Sequence, residues 1–214
     1  MKYEITKKKK RGRRYSLTLQ RTLYRIRALK DFGKVKAGDL GGWIEGELNL
    51  SQKGNAWVYG DAEVYGKAWV YGDAQVSGDA QVYGHAWVYG KAWVYGDAKV
   101  YGDALVFGNA EISEYAEVSG DAQVDGKAWV SGHARVFGDA KVFGDAEISE
   151  YAEVSGDAQV SGDAKVYGKA WVFGNARVYG DAQVYGKAWV SGKALVYGDA
   201  RVSEDAKVSG NGKE

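Results

Sequence analysis

Asn55-Ala56-Trp57-Val58-Tyr59-Gly60, then Asp61-Ala62-Glu63-Val64-Tyr65-Gly66, opens a pattern that runs without insertion to Gly210, 26 hexads in all. Ala holds the second place of every hexad, and Val holds the fourth except at Ile112 and Ile148. Gly closes each hexad except where Glu114, Glu150 and Glu204 stand. In an extended segment alternate side chains point to opposite faces, so Ala and Val share one side and the residues between them share the other. Gly followed by Asp, Asn, Lys or His makes a corner, because Gly accepts positive φ and Asp or Asn bonds its own backbone. The chain therefore turns every six residues, always with Ala and Val inward. The result is an all-β coil whose successive turns pair as parallel strands about 4.8 Å apart.

The period leaves two cross-sections open: a coil of three hexads has three faces, and a coil of two hexads has two. Ala110–Val124 recurs at Ala146–Val160, a shift of six hexads that fits either.

The pattern resembles the bacterial hexapeptide-repeat family, which places an aliphatic residue at each face centre and a small residue two positions before it. That resemblance covers residues 55–210 and implies a three-sided, left-handed parallel β-helix. At 18 residues per coil the repeats make about 8.7 coils and a shaft of roughly 42 Å. The opening Gly38-Asp39-Leu40-Gly41-Gly42-Trp43-Ile44-Glu45, with Asn49-Leu50-Ser51, further resembles a branch found in bacteria and their phages.

Around this shaft, residues 1–54 read as a small N-terminal β cap and 211–214 as a polar tail. Lys2–Thr6, Tyr15–Leu19 and Thr22–Leu29 alternate like strands, the last with Tyr24, Ile26 and Ala28 on one face and Arg25 and Arg27 on the other. Gly42–Gly46 and Leu48–Ser51 look like two degenerate hexads, but Leu50 to Val58 is eight residues, which predicts a bulge near Gln52-Lys53-Gly54.

The 214 residues include no Cys, which excludes disulfides and thiolate metal sites. No apolar run reaches the ~20 residues of a membrane span, and no apolar stretch follows the first lysines as a signal peptide requires. A soluble cytoplasmic protein with no membrane partner is the expectation. Net charge is +1, yet residues 1–50 carry 14 Lys and Arg against 5 acids, leaving an acidic shaft. Lys7, Lys8, Lys9, Lys10, Arg11, Arg13 and Arg14 read as a loop that either contacts anions or is simply solvated. Without interleaved aromatics, nucleic acid is not the favoured partner.

Stacking makes residues 18 apart neighbours, so outward side chains form columns. Glu63, Gln81, Lys99, Glu117, Arg135 and Glu153 form one of alternating charge, which is structural. Trp69, Trp87 and Leu105 form another, with Tyr71, Tyr89 and Phe107 beside it. These six suit an oligomer interface, a ligand platform for sugar or base rings, or merely the liking of aromatics for strands. Corner aspartates also align. Asp103, Asp121, Asp139 and Asp157 make one ridge, and Asp145, Asp163, Asp181 and Asp199 another; each serves the turn, with Ca²⁺ the alternative. No metal is expected.

The resemblance also implies candidate chemistry. Many hexapeptide-repeat proteins are homotrimers that transfer acyl groups from a carrier thioester such as acetyl-CoA, with a His as base. The only histidines are His85, expected between Lys67 and Asp103, and His133, expected between Tyr115 and Tyr151. Neither adjoins an inserted loop, so both read as turn residues and His85 is only a weak candidate base. The sequence reads as a non-enzymatic solenoid that acts through its surface, without cofactor, as a homo-oligomer with a trimer favoured. The alternatives are an acyltransferase, or a phage-type protein that holds a small anionic or nucleotide ligand between subunits near Lys67, Lys91 or Lys99.

Overall fold

A computed structural model describes residues 1–11 and 21–210. Gly12, Arg13, Arg14, the strand expected at 15–19 and the tail at 211–214 lie outside the described residues.

From Trp57 on, each hexad forms a short strand, two residues long except for the four-residue Trp189–Gly192 and Lys207–Gly210, and corner glycines follow at positive φ. Each strand pairs in parallel with the strand three hexads on: Glu63 with Gln81, Trp69 with Trp87, Gln75 with Trp93. The cross-section is therefore three-sided, and the two-sided alternative falls. We name the faces by three successive strands of one coil: face 1 carries Glu63–Val64, face 2 Trp69–Val70 and face 3 Gln75–Val76. Their sheets contain twelve, eight and nine strands, the first including the cap. The faces close on a column of Ala and Val side chains, from Ala56 to Val190 all at most 1% exposed. No single centre holds this core. Each coil buries its own small share and stability accumulates by stacking.

Backbone spacing explains the glycines. A Cβ built on Gly126, at φ 68°, would stand 2.7 Å from the carbonyl oxygen of Gly144 in the next coil. Glu114, Glu150 and Glu204 hold the same left-handed conformation at φ 57°, 60° and 57°, which costs roughly 1–2 kcal/mol each without glycine.

The cap consists of β1 (Tyr3–Arg11) and β2 (Thr22–Ala28), antiparallel, and β3 (Leu40–Ile44), which pairs antiparallel with β2 and in parallel with Glu63–Val64. β3 thus joins the antiparallel cap to face 1. Ile44 lies opposite Val64 and Leu50 opposite Val70, each partner two positions later than three whole hexads would place it. The two extra residues are those expected near Gln52-Lys53-Gly54. Gly42 is required here: its Cβ would lie 2.5 Å from a Val58 methyl and 2.7 Å from the Ala62 carbonyl oxygen.

Two expectations for the cap need correction. Lys7–Arg11 is not a loop; it continues β1, with Lys9 opposite Tyr24, Lys10 opposite Leu23 and Arg11 opposite Thr22. The register between Ile5 and Lys9 is irregular, so simple alternation fails across it. β2 is not cleanly two-faced either, and its own pairing with β3 shifts register between Arg25 and Arg27. Leu23, on the side expected to be polar, is fully buried against Trp43 and Tyr65.

Trp57 plugs the first coil. Tyr3 meets its ring edge-on at 6.1 Å and Phe32 at 5.3 Å. Beside them Lys2 is 1% exposed, with its Nζ donating to the Ala56 carbonyl at 2.7 Å and lying 5.0 Å from the Phe32 ring centre. Among the described residues, no helix is long and apolar enough to cross a membrane.

Candidate binding surfaces

The expected columns exist. On face 2, Trp69 and Trp87 pair across neighbouring strands, with Leu105 next. Tyr71, Tyr89 and Phe107 stack beside them at 4.8 and 4.9 Å with interplanar angles of 5° and 3°. Trp69 stacks on Tyr71 at 4.2 Å and meets Trp87 edge-on at 6.0 Å. Tyr89 gives its two faces to Tyr71 and Phe107, so it offers solvent an edge. A planar sugar or base could not slide between rings this close. The large open apolar area comes from Trp69 at 38% and Trp87 at 44% exposure; the other four are half-buried. Burial pushes the Tyr71 and Tyr89 hydroxyls up from their ordinary value. In the next coil Asp125 interrupts the ladder, and burial raises its carboxyl, offset in part by Lys141.

The first three coils of face 2 present no outward charge. Its outward positions from Trp69 to Tyr197 hold Asp125, Lys141 and Arg177 and no other charge. Face 1 pairs its charges internally: Lys99 to Glu117 at 2.9 Å, and Arg135 to Glu153 at 3.5 Å. Face 3 does the same through Lys165 and Glu147 at 2.9 Å.

The edge between faces 1 and 2 carries Lys67 and His85. His85 Nδ1 lies 3.6 Å from Asp103 Oδ1, the neighbour expected from the period. The period did not reveal what else arrives there. Arg21, just before β2, reaches Glu45 at 2.5 Å, and Glu45 accepts the Gly66 N–H at 2.7 Å. Together these residues bound a hollow of about 400 Å³, lined by Arg21, Glu45, Tyr65, Gly66, Lys67, Gly84 and His85. Arg21, Lys67 and His85 bring three nitrogen-bearing side chains to its walls, Arg21 already paired with Glu45, and donors of this kind suit a small anion. Tyr65, Tyr83 and Tyr101 stack along the face 1 side at 5.1 and 4.9 Å, so aromatic columns flank the hollow's edge on both sides. The three-hexad period would have disclosed that ladder; nothing in the repeat discloses Arg21.

Lys91 and Lys99 stand apart from the hollow. Lys91 borders a different depression with Lys34, Asp73 and Tyr59. Lys10 is not a free cation: its Nζ lies 3.0 Å from Glu63 and 4.6 Å from the Trp43 ring centre. Lys7, Lys8, Lys9 and Arg11 are exposed along β1. Asp103, Asp121, Asp139 and Asp157 occupy successive exposed corners. Among the described residues no three His, Cys, Asp or Glu side chains converge as a metal site. His133 sits where expected, between Tyr115 at 4.8 Å and Tyr151 at 4.9 Å, all three rings within 5° of parallel.

A repeat built from Ala-x-Val strands and glycine corners, three faces around, also matches known sequences. A family model described as YdcK beta solenoid repeat matches residues 80–96, 170–186 and 176–192. The fold is a three-sided β-solenoid built on a hexad repeat, similar to that family. Over 37 residues, 17% of its length, this chain is 51% identical to a protein of Escherichia coli (strain K12) named "Uncharacterized acetyltransferase YdcK". The matched stretch spans 11% of that relative's length.

Proposed function

We propose that this β-solenoid is a non-enzymatic scaffold or binding module that acts through its outer surface as an oligomer, with face 2 as the docking surface. One observation carries the reading: Trp69 and Trp87 stand exposed beside the stacked Tyr71, Tyr89 and Phe107, on three successive coils of one face that present no outward charge. Aromatic anchors in a charge-poor centre are the composition of an interface core. A three-copy assembly is the arrangement to test. Trp69→Lys with Trp87→Lys places two charges there without touching the Ala-Val core. Native mass spectrometry of wild type is expected to give an oligomer, and the double variant a smaller species with an unchanged circular dichroism spectrum. A wild type that is monomeric at every concentration, or a variant that assembles normally, refutes the reading.

A second reading is acyl transfer from a thioester such as acetyl-CoA, favoured by the relative's name and by the hollow beside His85. His85 would take the acceptor's proton, with Lys67 and Arg21 holding the donor's phosphates. Acetyl-CoA binding that is lost in Lys67→Ala, with turnover lost in His85→Ala, supports it; no binding of acetyl-CoA refutes it. The same cations support retention of a small anionic or nucleotide ligand without chemistry, which ligand mass in the native spectrum would reveal.

A further inference from the structure

The edge between faces 3 and 1 has a pattern that the function above leaves unused. Its corner column reads Asp61, Asp79, Asp97, Tyr115, His133, Tyr151, Lys169, Lys187, Asp205, one residue per coil. His133 is the middle of the nine. On either side stands a tyrosine; two and three coils away stand aspartates in one direction and lysines in the other. Reversing the column about His133 places Asp97 opposite Lys169 and Asp79 opposite Lys187. The inner seven positions, Asp79 to Lys187, complement themselves when turned end for end; the outermost pair, Asp61 and Asp205, does not.

The structure makes this more than a sequence pattern. Asp79, Asp97, Lys169 and Lys187 are all exposed, and none has an ion-pair partner within 4 Å among the described residues, whereas faces 1 and 3 pair theirs. At the centre Tyr115 and Tyr151 are 56% and 58% exposed, at corner positions where turn chemistry asks only for Asp, Asn or Lys. The neighbouring column on face 3 is serine at Ser113, Ser131 and Ser149, so the three stacked rings stand proud of it. The rings stack on their neighbours at 4.8 and 4.9 Å with angles of 5°, so the centre of the edge is one continuous ordered ladder. An apolar centre flanked by charge has the layout of a small interface.

We propose that this edge docks a second copy of the chain, antiparallel, about a two-fold axis near His133. Each copy's Asp79 and Asp97 then meet the other's Lys187 and Lys169, making four ion pairs, and Tyr115 meets the second copy's Tyr151. An isologous contact of this kind closes at two copies. Glu114 falls opposite the second copy's Glu150 and Asp61 opposite its Asp205, four like-charge approaches set against four attractive ones, with Asp61 already neutralised by Arg25 at 3.3 Å. The edge lies across the prism from face 2, so the pairing neither uses nor blocks the surface proposed above, and does not depend on it.

The chain has no Cys, so introduced thiols report without background. Asp79→Cys and Lys187→Cys chains, carrying different tags, are mixed under mild oxidant. Antiparallel docking predicts a disulfide between the two kinds of chain, with three of the four ion pairs intact. Each kind cross-linking only to itself means a parallel arrangement and overturns the proposal; no cross-link overturns it as well. As a second measurement, sedimentation at low salt follows Lys169→Glu with Lys187→Glu, expected to weaken association at least about tenfold. Adding Asp79→Lys and Asp97→Lys to the same chain restores complementarity and is expected to restore association. Failure of the fourfold variant to recover refutes the charge pairing. Retention of the cross-link in Trp69→Lys, Trp87→Lys chains separates this contact from face 2.

Discussion

Lys2 gives the cap a pH dependence opposite to the usual alkaline weakening of proteins. Its ammonium is fully enclosed, with one carbonyl acceptor at 2.7 Å, and burial pushes its pKa from 10.5 to about 8; Asp73 partly restores it and Lys30 depresses it further. Between those two values the unfolded cap binds a proton that the folded cap does not, so stability rises with pH across that window. Each tenfold change in proton affinity is worth about 1.36 kcal/mol, so the whole effect is about 3 kcal/mol, nearly all of it missing at pH 7. Tyr3 opposes it at the top end. Burial raises its hydroxyl above 10, so the folded cap keeps a proton that the unfolded cap loses above pH 10, and stability falls there. The two effects together predict a gain of about 2 kcal/mol from pH 7 to pH 10, then a decline. Trp57, held by Tyr3 and Phe32, reports the cap's integrity in near-ultraviolet circular dichroism during urea melting. Wild type is expected to melt at higher urea as pH rises from 8 to 10. Lys2→Met, which keeps the length of the side chain but not its charge, is expected to lose that rise. A wild-type midpoint that is flat or falling over this window refutes the argument, as does an unchanged rise in Lys2→Met.

Two further predictions concern the shaft. Gly126→Ala and Gly198→Ala both force alanine to positive φ, but only at Gly126 does the new Cβ meet the next coil, whereas nothing lies within 4 Å at Gly198. Gly198→Ala is expected to cost roughly 1–2 kcal/mol and Gly126→Ala measurably more; equal losses of thermal stability would remove close stacking as a reason for the glycine. Lys99→Ala breaks a half-exposed pair with Glu117 at 2.9 Å. It is expected to cost under about 1 kcal/mol, and salt is expected to erase the difference, in thermal melts with and without added salt.

The shaft was legible in the sequence because every hexad repeats the same local instruction. Ala56, Val58 and Gly60 each have a reason within six residues, and the column partners of Glu63 or Trp69 follow from counting. The number of faces was not legible from the period, since a shift of six hexads divides by two and by three; it rested on resemblance until the pairing of Glu63 with Gln81 was seen. The cap resisted reading for a different reason. Lys7–Arg11 has no apolar pattern, and its strand conformation comes from β2 beside it. Leu23 is buried by Trp43 and Tyr65, partners far along the chain that share no period with it. The candidate hollow divides along the same line. Lys67 and His85 were placed by counting, whereas Arg21 and Glu45 come from the aperiodic cap.

The constancy of the three-hexad register makes the molecule a ruler with a fixed least count. Removing one full coil shortens it by about 4.8 Å and leaves every outward column in line. Removing a single hexad shortens it by a third of that, and turns everything downstream by one face. With the hexad Tyr115–Gly120 gone, Trp129 would follow Leu105 in the column that began with Trp69, and Arg135 would follow Glu111. A lineage that gains or loses repeats in threes keeps its surface pattern while changing its reach. One that gains or loses a single repeat keeps its core and scrambles its surface.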